Sequence, residues 1–374
     1  MNPRLGGLRF PVEHSRGRRY PEPPHPYRNA FQRDRDRIVH ARAFRRLEDK
    51  TQVFGAGTSD HFRNRLTHTI EVAQIARTVA AALGLDEDLT EALALAHDIG
   101  HPPFAHAGEE ELDRQMSRFG ERFDHNLHAL RIVESFEQRY AGFPGLNLTF
   151  EVREGIAKHS RDFGPGEDPV LDEYLPGLRP PLEAQIIDLA DEIAYNTADL
   201  DDGRSARFFE VEEVARAVPE FAALRDAADE RFPNAPVRIR FNEALRALID
   251  MLVTGLIEGT REAAIAAGVR DYEDVRRYPE RLARLTAPAA SATSALKCFL
   301  RERVYTSKPV AAERVTSTAM IAGLFAWYLD SPERLPETYR EQAGRVPVHR
   351  LICDYIAGMT DGYLRRTWEQ AQRA

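Results

Sequence analysis

Apolar positions along this chain recur at the three-to-four-residue spacing of helices, and the strict alternation of half-buried strands is scarce. In residues 67–83, Val72, Ile75 and Val79 follow His68 by four, seven and eleven positions, so the spacing predicts a helix whose buried stripe carries a histidine. Gly84 marks its stop. Asp86 is placed to cap a second helix running through Leu89, Leu93 and Ala96, with Glu87 and Asp88 complementing its dipole. Pro102 and Pro103 block its continuation, which puts His97 and Asp98 in its last turn and His101 at or just beyond its end. Residues 181–199 predict a third helix on which Asp191, Tyr195 and Asp199 recur at i, i+4 and i+8, beside Ala190, Ala194 and Ala198, small enough to admit a ligand. Helical patterns also cover 29–47, 240–267, 291–305 and 350–372, and Gly- and Pro-rich loops are expected at 141–147 and 163–181. With no glycine-rich strand-turn-helix signature, the chain is expected to be all-α.

With 374 residues, 43% of them hydrophobic, the chain can bury a large core, as one big or two smaller domains. The longest apolar uncharged run, 315–329, has 15 residues, below the roughly 20 that a bilayer-spanning helix needs. Arg4 and Arg9 interrupt the apolar residues at the N-terminus, so no signal peptide is evident and no membrane partner is expected. Cys298 and Cys353 are too few for a disulfide framework, and a cytoplasmic location is expected. The net charge of -8 conceals an asymmetry: residues 1–50 hold 13 Lys plus Arg against 6 Asp plus Glu, almost all of the cations being arginine. The planar donor fork of arginine suits phosphate. From residue 29 onward this reads as a surface for nucleotide phosphates, at an active site or at an effector site between subunits. Residues 1–25, with Pro11, Pro21, Pro23 and Pro24, read instead as a solvated, partly flexible leader.

The densest chemistry lies in residues 97–109, His-Asp-Ile-Gly-His-Pro-Pro-Phe-Ala-His-Ala-Gly-Glu. His97 and Asp98 offer one nitrogen and one oxygen to a divalent ion, a mixed set suited to Zn, Mn, Fe or Mg. Two ligands do not hold a catalytic ion. His68, on its buried stripe beside Arg65, and Asp191 are the partners that helical spacing supplies. Each has a bland reading taken singly, since a buried histidine is commonly a hydrogen-bonded core residue and a helical aspartate is commonly solvated. Glu109 is followed by Glu110 and Glu111, a run that also suits simple dipole complementation at a helix start.

The ordered set of segments resembles the HD-domain deoxyguanosinetriphosphate triphosphohydrolases over residues 28–199. The resemblance is carried by Asp-Arg-Asp-Arg-Ile-Val-His at 34–40, Ala-Phe-Arg-Arg-Leu at 43–47, Lys-Thr-Gln-Val-Phe at 50–54, Arg-Leu-Thr-His-Thr at 65–69, the run 97–109 and the helix 191–199. It implies an all-α fold, an HD-domain helical core with additional C-terminal helices. Its parts are a basic N-terminal segment (1–60, partly flexible then helical), a metal-dependent phosphohydrolase core (61–205) and a C-terminal helical region packed on the core (206–374). It implies a divalent metal, Mg or Mn first with Fe or Zn as alternatives, held by His68, His97, Asp98 and Asp191. His106, Glu109 and His101 would be catalytic, the first two in proton transfer and the third at the phosphates. Gln52, Arg65, His125, Lys158, Tyr195 and Asp199 would bind substrate, with Arg65 at the α-phosphate, Lys158 and His159 at later phosphates, and Tyr195 with Asp199 reading the sugar. His128 would be a bystander. Where a vertebrate relative in that family carries a phosphate-contacting lysine, this chain has Glu192. The implied reaction splits a dNTP at the α-phosphate into deoxynucleoside and inorganic triphosphate. The implied assembly is a homo-oligomer, tetramer or hexamer, with a dNTP effector at a subunit interface.

Two other readings fit parts of the sequence. One is a different HD-type phosphohydrolase, a 5′-nucleotidase or guanosine tetraphosphate hydrolase. The other is a non-catalytic helical protein binding single-stranded nucleic acid through the arginine-rich N-terminus, with the salt dependence that phosphate contacts bring.

Overall fold

The computed structural model describes residues 5–53 and 62–373; Arg4 and Phe54 lie outside the described residues. Among these the only β pairing is isolated bridges, and the chain is all-α. In order the helices are α1 (Ala30–Val39), α2 (Arg42–Arg46), α3 (Arg65–Leu83), α4 (Glu87–Ala96), α5 (Ala105–Ser117), α6 (His125–Arg131), α7 (Phe150–Ala157) and α8 (Leu182–Ser205). They continue with α9 (Val211–Ala217), α10 (Pro219–Arg231), α11 (Val237–Ala267), α12 (Tyr272–Arg277), α13 (Ala287–Leu300), α14 (Lys308–Asp330), α15 (Glu337–Arg340), α16 (Val348–Ala357) and α17 (Asp361–Ala371).

The expected caps are in place. Gly84 closes α3 in the left-handed conformation, and Asp86 Oδ1 accepts from Leu89 N at the start of α4; at the start of α3 the structure adds a cap of its own, Asn64 Oδ1 accepting from Thr67 N. Several boundaries differ, among them that the pattern at 29–47 is two helices, α1 and α2, and that α8 runs on to Ser205. α4 ends at Ala96, so His97 and Asp98 begin the turn after the helix rather than completing its last turn. The pattern at 350–372 is two helices, α16 and α17, parted around Gly358, with Thr360 capping the second. The pattern at 291–305 starts earlier, at Ala287, and finishes as a wider π-turn over Arg301–Tyr305.

The N-terminal leader is not loose from residue 5 onward, contrary to expectation. Leu8 and Phe10 are buried in the main core, Leu5 N donates to Leu83 O, and Phe10 N donates to Glu183 Oε1. Its arginines are also engaged: Arg18 pairs with Asp34, Arg28 with Asp36, Arg33 and Arg37 with Glu22, and Arg35 with Glu91. Part of the local positive charge is therefore neutralised within the fold, whereas Arg42, Arg45 and Arg46 are exposed.

Two hydrophobic cores organise the chain. The first gathers the N-terminal segment, α3, α4, α7 and α8 and runs on through α10, α11 and α13. The second joins α5, through Leu112 and Met116, to α14, α16 and α17. The division cuts across the expected 61–205 and 206–374 regions, because α5 lies in the former by sequence and in the second core by burial. The apolar run 315–329 is accounted for in the same way: Met320, Ile321, Leu324 and Phe325 line that second core. No helix among the described residues is long and apolar enough to cross a membrane.

Candidate metal centre and active site

Three helical elements of the first core converge on one point. α3 supplies His68 from its buried face, the turn after α4 supplies His97 and Asp98, and α8 supplies Asp191. His68, His97 and Asp98 each offer a ligand atom within 4.8 Å of the others. His68 Nε2 and Asp191 Oδ1 are 2.8 Å apart, and His97 Nε2 stands 3.5 Å from Asp98 Oδ1 and 3.8 Å from Asp191 Oδ1.

These residues fit a divalent cation. Nδ1 of His97 lies 2.6 Å from Ala94 O, a contact in which the nitrogen must donate, so the lone pair is left on Nε2. That Nε2 is buried and has no hydrogen-bond partner, which is costly unless something electropositive meets it. Burial lowers the His97 pKa and so keeps the imidazole in its neutral, ligating form. Burial raises the Asp98 carboxyl, but Arg65, His97 and His101 outweigh that and hold it well below the usual carboxylate range. Arg65 Nη1 occupies Asp98 Oδ2 at 2.8 Å, while Oδ1, on the side of His97, also lies 2.9 Å from His101 Nδ1.

Beyond this cluster the chain reverses. Phe104 and Ala105 both have left-handed φ values, 62° and 53°, and α5 starts there, carrying His106 and Glu109. Gly108 lies so close to Pro103 that a Cβ would sit 1.9 Å from its carbonyl oxygen. The expected His106–Glu109 pairing is loose, with 3.7 Å from Nδ1 to Oε2 and the His106 side chain 79% exposed. The tight partner of Glu109 is His125, whose N and Nδ1 lie 3.0 and 2.6 Å from Oε1. Burial would raise the Glu109 carboxyl, yet His106 and His125 hold it far below its ordinary value. Its Oε1 orients His125 through the ring Nδ1 and the backbone N–H. The His125 ring lies 3.9 Å from that of His101, so the two imidazoles line one wall.

Along α8, Tyr195 is half-buried one turn beyond Asp191, and Asp199 is buried one turn further. Burial pushes the Asp199 carboxyl up to about 7, against a hydrogen bond that Tyr305 OH donates to its Oδ2. Tyr305 has no signal in the local sequence, since it comes from the π-turn after α13. Gln52 is half-buried at the end of the first described segment, and its Oε1 is enclosed without a partner. Lys158 is the expected residue that the fold does not bring to the centre. Its buried ammonium donates to Glu154 Oε1, Leu175 O and Leu178 O, which uses all three of its hydrogens. Its neighbour His159 faces the site instead, with its ring 5.3 Å from that of His97 and Nδ1 2.7 Å from Asp188 Oδ1. Glu192 meets a cation from another helix, Lys297 of α13, at 2.7 Å. His128 is buried against Gly100 O.

Comparison with known proteins places these features in context. The HD domain family matches residues 65–196, the stretch that contains all four candidate ligands, and the phosphohydrolase-associated domain matches residues 283–370. A deoxyguanosinetriphosphate triphosphohydrolase-like protein of Azoarcus sp. is 47% identical over 350 residues, covering 93% of this chain and 91% of that protein. Proteins with the same description from Geobacter sulfurreducens, 43% identical over 96% of this chain and 94% of that protein, and Ralstonia nicotianae, 46% identical over 93% and 89%, are similar along nearly their whole length.

Proposed function

Because this chain belongs to the family of deoxyguanosinetriphosphate triphosphohydrolase-like proteins, phosphohydrolases built on an HD domain, we propose that it hydrolyses deoxynucleoside triphosphates to deoxynucleoside and inorganic triphosphate. The observation that carries this reading is the convergence of buried His68, His97 and Asp98 with half-buried Asp191 beside the Glu109–His125 pair, with Tyr195 and Asp199 continuing along α8. His68, His97, Asp98 and Asp191 would hold a divalent cation, Mg or Mn, which would supply positive charge at the phosphates and Lewis acidity toward water.

The chain's own residues do the rest. Arg65, anchored on Asp98, would hold the α-phosphate, Gln52 with its unpartnered Oε1 would contact the substrate, and His101 and His159 would face the phosphates. A water oxygen bonds to the α-phosphorus, the bond to the 5′ oxygen breaks, and that oxygen takes a proton. Glu109, ionised, fixes His125 through Nδ1 and leaves Nε2 for proton exchange, while exposed His106 is placed for the leaving group. On α8, Tyr195 and Asp199 lie about 6 and 12 Å beyond Asp191, the span from an α-phosphate to the far side of a sugar. The Tyr195 ring packs under C2′ and leaves no room for a ribose hydroxyl, and Asp199 accepts the 3′ hydroxyl.

Incubation with dGTP and Mn or Mg, with products resolved by phosphorus NMR, tests the reading. Triphosphate is expected; orthophosphate or pyrophosphate would sink it and point to another HD phosphohydrolase. His97→Ala or Asp98→Ala is expected to lose bound metal and turnover together. Near-wild-type turnover with unchanged metal content would remove the ligand assignment.

A further inference from the structure

The ligand half of the site and the proton-transfer half rest on different hydrophobic cores. His68, the His97–Asp98 turn and Asp191 belong to helices of the first core, whereas α5, with His106 and Glu109, is packed on α14, α16 and α17 in the second. Their mutual placement depends on ties across the seam, and one buried carboxylate of the second core reaches both the first-core segment at Thr51 and the start of α5 at Phe104. Asp361, the first residue of α17 and 4% exposed, accepts from Thr51 N through Oδ2 at 2.9 Å and from Phe104 N through Oδ1 at 3.0 Å. Thr51 immediately precedes Gln52. Phe104 is the first of the two left-handed residues that aim α5, a conformation that non-glycine residues keep only where their surroundings over-determine it. One turn along the same face of α17, the Arg365 guanidinium sits over the Phe104 ring, 4.9 Å from its centroid. Backbone and ring of Phe104 are therefore both gripped by one C-terminal helix. Lys50 adds a parallel strap, with Nζ donating to His101 O and to Ala357 O at the end of α16.

We propose that Asp361, assisted by Arg365, is a positioning residue of the reaction: α17 sets the angle at which α5 presents His106 and Glu109 to the metal ligands. The inference rests on the proposed triphosphohydrolase reading for its kinetic readout and on hydrogen exchange for an independent one. Asp361→Asn replaces one acceptor oxygen by a donor facing a backbone N–H. It is expected to lower kcat roughly 10- to 100-fold, the scale of an ångström of misplacement, with KM and bound Mn little changed. Amide exchange should accelerate in 101–109 and at 50–53, and not throughout the second core. Arg365→Met, at a partly exposed position, carries the same test if Asp361→Asn does not fold. Two controls separate positioning from stability. Leu364→Ala weakens the second core without touching either tie, and Glu313→Gln removes the other partner of Arg365; both should keep kcat per folded molecule. Wild-type kcat with undisturbed exchange at 101–109 in the two positioning variants overturns the proposal. So does an equal kcat loss in Leu364→Ala at equal loss of Tm. Absence of triphosphate release by the wild type would instead remove the functional reading, while the exchange measurement would still decide whether α17 holds the loop.

Discussion

At the scale of single residues, the most informative group is Glu109. Its carboxyl is held low by two histidines, and its oxygen is 2.6 Å from His125 Nδ1. Glu109→Gln keeps the shape and the metal ligands but no longer offers a carboxylate oxygen to His125 Nδ1. We expect unchanged metal content and a kcat reduced on the order of 10²; a change confined to KM would show that Glu109 only binds substrate. Tyr195 is the second decisive residue. In Tyr195→Ala the space under C2′ opens, and GTP should become a substrate while dGTP turnover persists. If the wild type already hydrolyses GTP and dGTP with similar kcat/KM, the steric account of sugar choice is wrong even should the metal assignment stand.

At the scale of elements, the active-site wall depends on how closely α6 approaches the turn after α4. A Cβ at Gly100 would lie 2.0 Å from His125 O and 2.6 Å from Ala129 N, both backbone atoms of α6. No side-chain rotation relieves such a clash. Gly100→Ala must move α6, and His125 with it, so a stability cost of about 1–3 kcal/mol is expected from overpacking, together with a kcat loss larger than the loss of folded protein. A urea melt and kcat measured on the same sample check this; normal kcat in a destabilised variant would show that the position of α6 is not critical.

At the scale of the whole molecule, a buried carboxylate ties the N-terminus to the helical core. Glu183 Oε1 accepts from Phe10 N and from Asp86 N, and burial pushes its carboxyl up to about 7 against those hydrogen bonds. The folded state therefore holds this proton more tightly than the unfolded chain does. Its stabilising contribution is complete below about 4.5 and declines as pH rises through about 7, by on the order of 3 kcal/mol. Glu183→Gln keeps the acceptor oxygen and removes the titration, so the fall of Tm across that window should flatten. An unchanged pH slope of Tm would show that Glu183 is ionised throughout.

Helix identity, the stop at Gly84 and the cap at Asp86 were legible in the chain itself, because each follows from local periodicity or from residue types at fixed spacing. His68 on an apolar stripe and Asp191 on a helix with small neighbours were readable for the same reason. What the chain could not disclose was decided by distant partners. Lys158 resembles a phosphate ligand until α7 and the following loop close around its ammonium. Glu109 resembles the partner of His106 until α6 brings His125 closer, and Asp199 gains Tyr305 from a turn more than 100 residues away. Part of the open basic surface that the arginines of the first 50 residues suggest is lost once Glu22, Asp34 and Asp36 are folded against them. Local spacing determines which face a side chain takes on its own helix. Which group meets it there depends on burial and charge pairing between segments far apart in sequence, and only the tertiary structure decides that.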